Sequence, residues 1–252
     1  DLVVLPKEEF LAMTTQVEQL EGLGIPVMVV DFMAQTPAGH RASLSALGQA
    51  LGETARADEL LKLYESSVAR IDERLANIGD DRPKMYFEIG NKGPKEHSLT
   101  WNTALWGPIM RAAGANNIAT GKVEAWGNLN PEYVIASAPD VIFLAGSYWP
   151  QESDQVRMGF GIDPSETSRQ IAGYTTRPGW ASLPAVKNGH MYALYHELAF
   201  GVFSFAAMEF IAKALYPDLF ADVDPEGALH DYYAKYLPVT AEGSFMVGPV
   251  GR

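Results

Sequence analysis

Aromatic and hydrogen-bonding side chains follow several predicted β-strands of this chain. They are Trp101, Trp126, Asn128, Tyr148, Trp149, Arg157, Tyr195 and His196. In open α/β sheets, ligands bind outside the carboxyl ends of the strands, so side chains in these positions can reach a common ligand. The sequence therefore predicts a ligand-binding site at one edge of a sheet.

Arg157 carries a planar guanidinium that can donate two parallel hydrogen bonds to a carboxylate, a catecholate or an oxyanion. The alternative is a surface arginine in a polar loop. Tyr148 and Trp149 combine a large apolar area with a polar tip, which suits the wall of a chelate or macrocycle pocket. The alternative for these two residues is that they pack the loop onto its own lobe.

Tyr195 and His196 are the predicted direct ligands if the bound solute contains iron, since phenolate and imidazole both bind this metal. A single histidine is also a common hydrogen-bonded structural residue, and His97 has no neighbour at ligand spacing. Trp101 and Trp126 either line the cleft or pack in the core. Asn128 either hydrogen-bonds a ligand or initiates the turn that follows it.

The composition excludes several classes of function. The 31 acidic and 19 basic residues give a formal charge of -12, and no basic cluster occurs, so nucleic acid is not an expected partner. The absence of cysteine excludes disulfides, thiolate metal sites and a cysteine nucleophile. With 252 residues and 47% hydrophobic content, the chain can bury the core of an α/β protein.

The first 80 residues predict a strand, a helix and a second strand, followed by a helical region. Residues 1–6 and 25–30 are short apolar strands on either side of a helix at 7–23, which is the pattern of a parallel crossover unit. Residues 32–41 are predicted to form a loop, followed by a short helix ending near Leu51. A long helix over 55–77, with Thr54 as its predicted cap, is long enough to bridge two lobes.

The remaining chain alternates strands with helices, which is typical of a parallel-sheet α/β domain. Predicted strands lie at 84–89, 140–145 and 190–194. Predicted helices lie at 103–113, 203–215 and 225–236. A further helix is predicted to start at Asn130-Pro131, where Asn130 can cap it and Pro131 suits its first position.

A series of short motifs gives a more specific indication. In order, they are Gly24-Ile25-Pro26-Val27, Leu47-Gly48 with Leu51-Gly52, Ala113-Gly114-Ala115-Asn116-Asn117-Ile118-Ala119, Glu132 before Pro139-Asp140-Val141-Ile142, Trp180 with Ala185 through Tyr192, and Leu215-Tyr216-Pro217-Asp218-Leu219-Phe220. Over essentially the whole chain, this series resembles the substrate-binding proteins of ABC importers for iron complexes, haem and cobalamin, including the branch that binds molybdate or tungstate.

The resemblance implies a Rossmann-like parallel-sheet lobe and part of a second lobe, joined by one long helix. The implied units are a remnant of the N-terminal lobe at 1–36, a helical connector at 37–80 and a C-terminal lobe at 81–252. Because Asp1 to Pro6 resembles the strand at 140–145 without the elements that precede that strand, we expect the first lobe to be truncated. Its exposed strand edge could then pair with another chain.

The resemblance also implies a function, partners and a location. We expect the protein to capture an iron chelate, haem, a corrinoid, or molybdate or tungstate, without catalysing a reaction. It would deliver this solute to a membrane permease, with Glu8 and Glu9 as docking residues; the alternative is that they only stabilise a helix N-terminus. The expected location is the periplasm, or an exported and lipid-anchored state.

Two other classes remain open at this point. One is an α/β enzyme, either a hydrolase or a transferase, although no nucleophile elbow, phosphate loop, complete dinucleotide fingerprint or zinc-protease motif occurs. The other is a ligand-free lobe that serves as an interaction module.

Overall fold

The computed structural model describes residues 1–149 and 154–250. The strands are β1 (Val3–Pro6), β2 (Val27–Val30), β3 (Lys84–Ile89), β4 (Leu99–Trp101), β5 (Asn116–Asn117), β6 (Trp126–Asn128), β7 (Val141–Gly146), β8 (Gly159–Phe160), β9 (Met191–Tyr195), β10 (Gly243–Ser244) and β11 (Met246–Val247). The α-helices are α1 (Lys7–Ala12), α2 (Thr14–Gly22), α3 (Pro37–Leu51), α4 (Thr54–Leu75), α5 (Trp106–Ala112), α6 (Pro131–Ser137), α7 (Pro164–Tyr174), α8 (Pro184–Lys187), α9 (Ser204–Leu215) and α10 (Pro225–Tyr236). Short 3₁₀ helices span Trp180–Ser182 and His196–Phe200.

The central sheet has the strand order β11-β9-β7-β3-β5. Strands β9, β7, β3 and β5 run parallel, and β11 adds an antiparallel edge. Every residue of β7 is buried, as is every residue of β3 after Lys84, because helices cover both faces of the sheet. The prediction of a parallel α/β sheet is confirmed.

The N-terminal segment forms a separate two-stranded parallel sheet, in which Val3 pairs with Val27 and Pro6 with Val30. The predicted crossover unit is therefore present. The single helix predicted between the strands is wrong in detail, because Met13 has non-helical dihedrals (φ -118°, ψ 34°) and divides the segment into α1 and α2.

Helix α3 begins earlier than the sequence indicated. Thr36 accepts a hydrogen bond from the backbone N–H of Gly39, and Pro37 occupies the first turn, so the loop predicted to extend to Arg41 is wrong. Helices α3 and α4 cross closely at Gly48, where an added Cβ would lie 2.6 Å from the Cβ of Ala57. Any larger side chain at this position would push the two helices apart.

Helix α4 has 22 residues and a length of about 33 Å. It begins at Thr54, preceded by Glu53, so the prediction of Thr54 as the cap was one residue late. Ion pairs attach α4 to α9, to α10 and to the segment between them. They join Glu59 to Lys235, Arg70 to Glu209 and Arg74 to Asp222.

Other boundaries also differ from the predictions. Helix α5 starts at Trp106 rather than Thr103, because residues 102–105 form a turn in which Leu105 has a positive φ of 48°. The sequence did not predict α7 or the antiparallel pair β4 and β6. Among the described residues, the helices are all too short or too polar to cross a membrane.

Candidate ligand-binding site

Strand ends from both parts of the chain meet at one place. The carboxyl end of β9 continues into the 3₁₀ helix His196–Phe200. Gln35, in the loop that follows β2, is buried, and its Nε2 donates hydrogen bonds to the carbonyl oxygens of Phe32 and Ala199. The loop after β2 and the loop after β9 are therefore in direct contact.

An aromatic surface lies beside this junction. Trp101 is buried and its ring contacts Phe87 and His196, with ring centroids 5.7 and 5.5 Å apart. The register of β4 and β6 places Trp126 directly opposite Trp101, and 59% of Trp126 is exposed. Phe200, 37% exposed, packs edge-on against His196. The surface thus extends from the core to solvent.

Asn128 lies two residues after Trp126 on β6 and is exposed. Residues two apart on a strand share a face, so Asn128 lies on the same side of this hairpin as Trp126. Its predicted hydrogen bond to a ligand stays a prediction.

The imidazole of His196 is held by a residue that the sequence analysis did not identify. The indole N–H of Trp106 donates to Nδ1 of His196 at 2.9 Å, and Trp106 is fully buried at the start of α5. Burial lowers the pKa of His196 to about 4, so the ring is neutral at physiological pH. Among the residues that the structure describes, its Nε2 has no hydrogen-bond partner.

Tyr195 has different surroundings from His196. Its ring packs edge-on against Phe245 and lies against the backbone of Gly159. Burial and the nearby charge of Glu197 raise the pKa of Tyr195, which keeps it a neutral phenol at physiological pH. The two consecutive side chains thus contact different groups, and their predicted joint ligation of iron stays a prediction.

No cluster of three or more histidine, cysteine, aspartate or glutamate side chains able to hold a metal ion occurs within residues 1–149 and 154–250.

Arg157 is mostly buried, and one nitrogen of its guanidinium is already paired with a carboxylate. Its Nη1 donates to Glu166 at 2.8 Å, and only 13% of the side chain is exposed. The exposed ring of Tyr148 lies 5.7 Å from the guanidinium carbon. Trp149 packs against the buried core cluster that includes Trp101 and Phe87. Its indole N–H is buried and has no partner among the described residues. This pair uses one nitrogen of the guanidinium, and the predicted contact of Arg157 with a ligand stays a prediction.

A buried ion pair, which the sequence analysis also missed, organises the loops behind this surface. Both carboxylate oxygens of Glu88, at the end of β3, accept hydrogen bonds from Arg177, at 2.7 and 3.0 Å. Tyr86 and the backbone N–H of Ser98 donate to the same carboxylate. The guanidinium also donates to the carbonyl oxygens of Gly93, Pro94 and Glu96. Arg177 thereby fixes the loop between β3 and β4.

His97 belongs to this loop rather than to a metal site. Its Nδ1 lies 3.3 Å from Arg177 and 3.7 Å from Glu88. Burial and the charge of Arg177 lower its pKa to about 4.

Glu8 and Glu9 occupy the first turn of α1 and are exposed. They are accessible to a partner, and they also stabilise the helix N-terminus. Their predicted role in docking stays a prediction.

A cavity of about 640 Å³ lies at the opposite end of the sheet, where β3, β7 and β9 begin. Its lining includes Asp140 and Lys213, but Asp140 accepts from the backbone N–H of Lys84, and Lys213 donates to the carbonyl of Val223. Asp81, Arg82 and His190 also line this cavity, but it lies at the amino ends of the strands. Because ligands of open α/β sheets bind at the carboxyl ends, the cavity is a weaker candidate than the aromatic surface.

Comparison with known proteins gives the family. The model of the periplasmic binding proteins matches residues 1–198. This chain belongs to the periplasmic binding protein family. The crystal structure of the TroA-like periplasmic binding protein FepB from Veillonella parvula superposes with a TM-score of 0.91 and 33% identity, covering 98% of this chain and 72% of that one.

Two relatives are more distant in sequence. The uncharacterized ABC transporter substrate-binding lipoprotein YvrC of Bacillus subtilis is 24% identical over 224 residues, which are 88% of this chain and 64% of the relative. The molybdate-binding protein MolA of Haemophilus influenzae is 24% identical over 207 residues, which are 79% of this chain and 51% of the relative. The chain thus spans less than two thirds of the length of each.

The expected class of substrate-binding proteins is confirmed. This periplasmic binding protein family consists of solute-binding proteins rather than enzymes, so the alternative of a hydrolase or transferase is set aside.

Proposed function

We propose that this periplasmic binding protein captures a metal complex or a related anion and delivers it to an ABC permease. The observation that carries the proposal is the aromatic surface of Trp101, Trp126 and Phe200 around the unpartnered Nε2 of His196. Large aromatic faces with a few oriented polar groups are typical of small-molecule sites.

The proposed solutes are an iron chelate such as a siderophore complex, haem, a corrinoid, and molybdate or tungstate. The relative MolA is named as a molybdate-binding protein, which supports molybdate or tungstate as the solute. The exposed area of Trp126 supports a solute with flat apolar parts.

The proposal is tested by titrating the protein with ferric tricatecholate, haemin, cobalamin and molybdate in an isothermal calorimeter. We expect one of the four to bind with a stoichiometry of one, and native mass spectrometry to recover it chemically unchanged. If none of the four binds, or if the bound compound is converted to a product, the proposal is wrong.

Trp126→Ala is the variant that locates the site, because an exposed side chain can be removed with little effect on folding. We expect an affinity loss of about tenfold, which corresponds to ~1.4 kcal/mol. Leu219→Ala, at a 40% exposed position in the segment after α9, is the control and should bind like the parent chain.

The proposed partner is a membrane permease that contacts Glu8 and Glu9, and the proposed location is exported, either periplasmic or lipid-anchored. The family is described as periplasmic binding proteins, and one relative is named as a lipoprotein. Both descriptions support this location. Self-association through the edge of the β1 and β2 sheet remains a prediction.

A further inference from the structure

Trp106 determines which nitrogen of His196 carries the proton. An indole N–H can only donate, so Nδ1 of His196 must be the acceptor of their 2.9 Å hydrogen bond. In a neutral imidazole the proton is then on Nε2. Trp106 itself is fixed by full burial and by packing on Phe87, at 4.6 Å between ring centroids.

This arrangement is the reverse of that found around metal-binding histidines. A histidine that binds a metal normally donates its other ring N–H to a carboxylate or carbonyl, which orients the ring and increases its basicity. Here the other nitrogen accepts a hydrogen bond, which withdraws electron density from the ring. For Nε2 to bind a metal, the proton would have to move to Nδ1, where it would face the indole N–H.

Such a proton shift would break the Trp106 bond and leave a buried indole N–H without an acceptor. A buried donor without an acceptor is unfavourable, because its lost hydration is not replaced. Direct metal binding by Nδ1 is also blocked, because Trp106 already occupies that position.

We infer that His196, oriented by Trp106, is a hydrogen-bond donor to an oxygen atom of the solute and does not bind its metal. This deepens the proposed function. It favours a solute whose metal is already fully coordinated, such as an oxyanion or a saturated oxygen chelate, over haem with an open axial position or a bare metal ion. Trp106 is the positioning residue that determines this preference.

His196→Gln distinguishes a donor from a metal ligand. A glutamine can accept from Trp106 with its carbonyl oxygen and donate outwards with its amide, but it lacks the imidazole nitrogen that binds metals. With molybdate as the probe, we expect His196→Gln to bind within about threefold of the parent chain and His196→Ala to bind about tenfold more weakly. Equal losses in both variants would overturn the inference.

A second measurement requires no bound solute. Long-range ¹H–¹⁵N NMR of the imidazole should show a protonated Nε2 and an unprotonated Nδ1 in the parent chain. Co²⁺ alone should not broaden the His196 signals, whereas in Trp106→Phe, which frees Nδ1, it should do so. A proton on Nδ1, or Co²⁺ broadening of His196 in the parent chain, would contradict the inference.

The two proposals can fail separately. If the NMR spectra show the expected proton position and no Co²⁺ binding, but no probe binds in calorimetry, the proposed transport function fails, while the conclusion that Trp106 keeps His196 from binding a metal stands.

Discussion

Individual residues of the site owe their properties to partners that are distant in the sequence. Trp106 and His196 are 90 positions apart, and Glu88 and Arg177 are 89 apart. The sequence analysis identified His196 from its place after a strand, but Trp106 was indistinguishable from a core residue in a predicted helix. Arg177 and Glu88 gave no local signal, since only the fold shows that both are buried.

The pair formed by Glu88 and Arg177 leads to a prediction about stability. Removing one partner of a buried ion pair leaves the other charge uncompensated, at a cost of about 3–5 kcal/mol. Arg177→Ala should therefore lower the free energy of unfolding by this amount, as measured by urea denaturation. Arg169→Ala removes an exposed arginine of α7 and is the matched control, with an expected change below ~0.5 kcal/mol. Similar changes in the two variants would show that the buried pair contributes little.

At the scale of elements, the accuracy of the sequence predictions follows burial. Strands β3 and β7 are covered on both faces, so each appears as an uninterrupted apolar run, and their predicted boundaries lie within one residue of those observed. The prediction of α5 failed at its start because a backbone turn with a positive φ at Leu105 has no side-chain signature. Strands β4 and β6 have three residues each, too few to show a period, and yet they position Trp101 and Trp126.

Buried polar contacts hold helix α4 against α9 and should contribute to stability. Glu209 of α9 is 2% exposed and accepts hydrogen bonds from Ser67 and Arg70 of α4. Glu209→Leu removes both bonds and leaves the buried Ser67 hydroxyl without this partner. We expect the free energy of unfolding to fall by about 1–3 kcal/mol in urea denaturation.

Asp222→Asn provides the comparison for Glu209→Leu. Asp222 also pairs with α4, through Arg74, but its side chain is 72% exposed. Exposed ion pairs contribute little to stability, so this substitution should have the smaller effect. A larger loss for Asp222→Asn than for Glu209→Leu would mean that the surface pair, and not the buried one, holds α4 in place.

At the scale of the whole molecule, several histidines are kept neutral by the fold. The pKa values of His97 and His196 are lowered to about 4, and burial also lowers the pKa of His40. A histidine with a lowered pKa binds fewer protons when folded than when unfolded. Its contribution to stability is present above the unfolded pKa of about 6.5 and is lost as the pH falls towards 4.

Other groups act in the opposite direction over the same range. Burial raises the pKa of Glu88 and Glu209, so these carboxyls favour the folded state more as the pH falls. The formal charge of -12 also becomes less negative on acidification, which reduces repulsion within the folded chain. The pH dependence of the parent chain alone therefore does not isolate the contribution of the histidines.

A comparison with a variant that lacks two of the histidines isolates their contribution to the pH dependence of stability. In urea denaturation, the parent chain should lose about 1 kcal/mol for each of His97 and His196 between pH 7.5 and 5.5, relative to a variant carrying His97→Gln and His196→Gln. Glutamine does not titrate, while the carboxyls and the net charge change almost equally in both proteins. The difference in unfolding free energy between the two proteins should therefore shrink or reverse at pH 5.5. If it is the same at both pH values, the two imidazoles titrate normally in the folded protein, and the packing of His196 against Trp101, Trp106 and Phe200 does not disfavour its charged form.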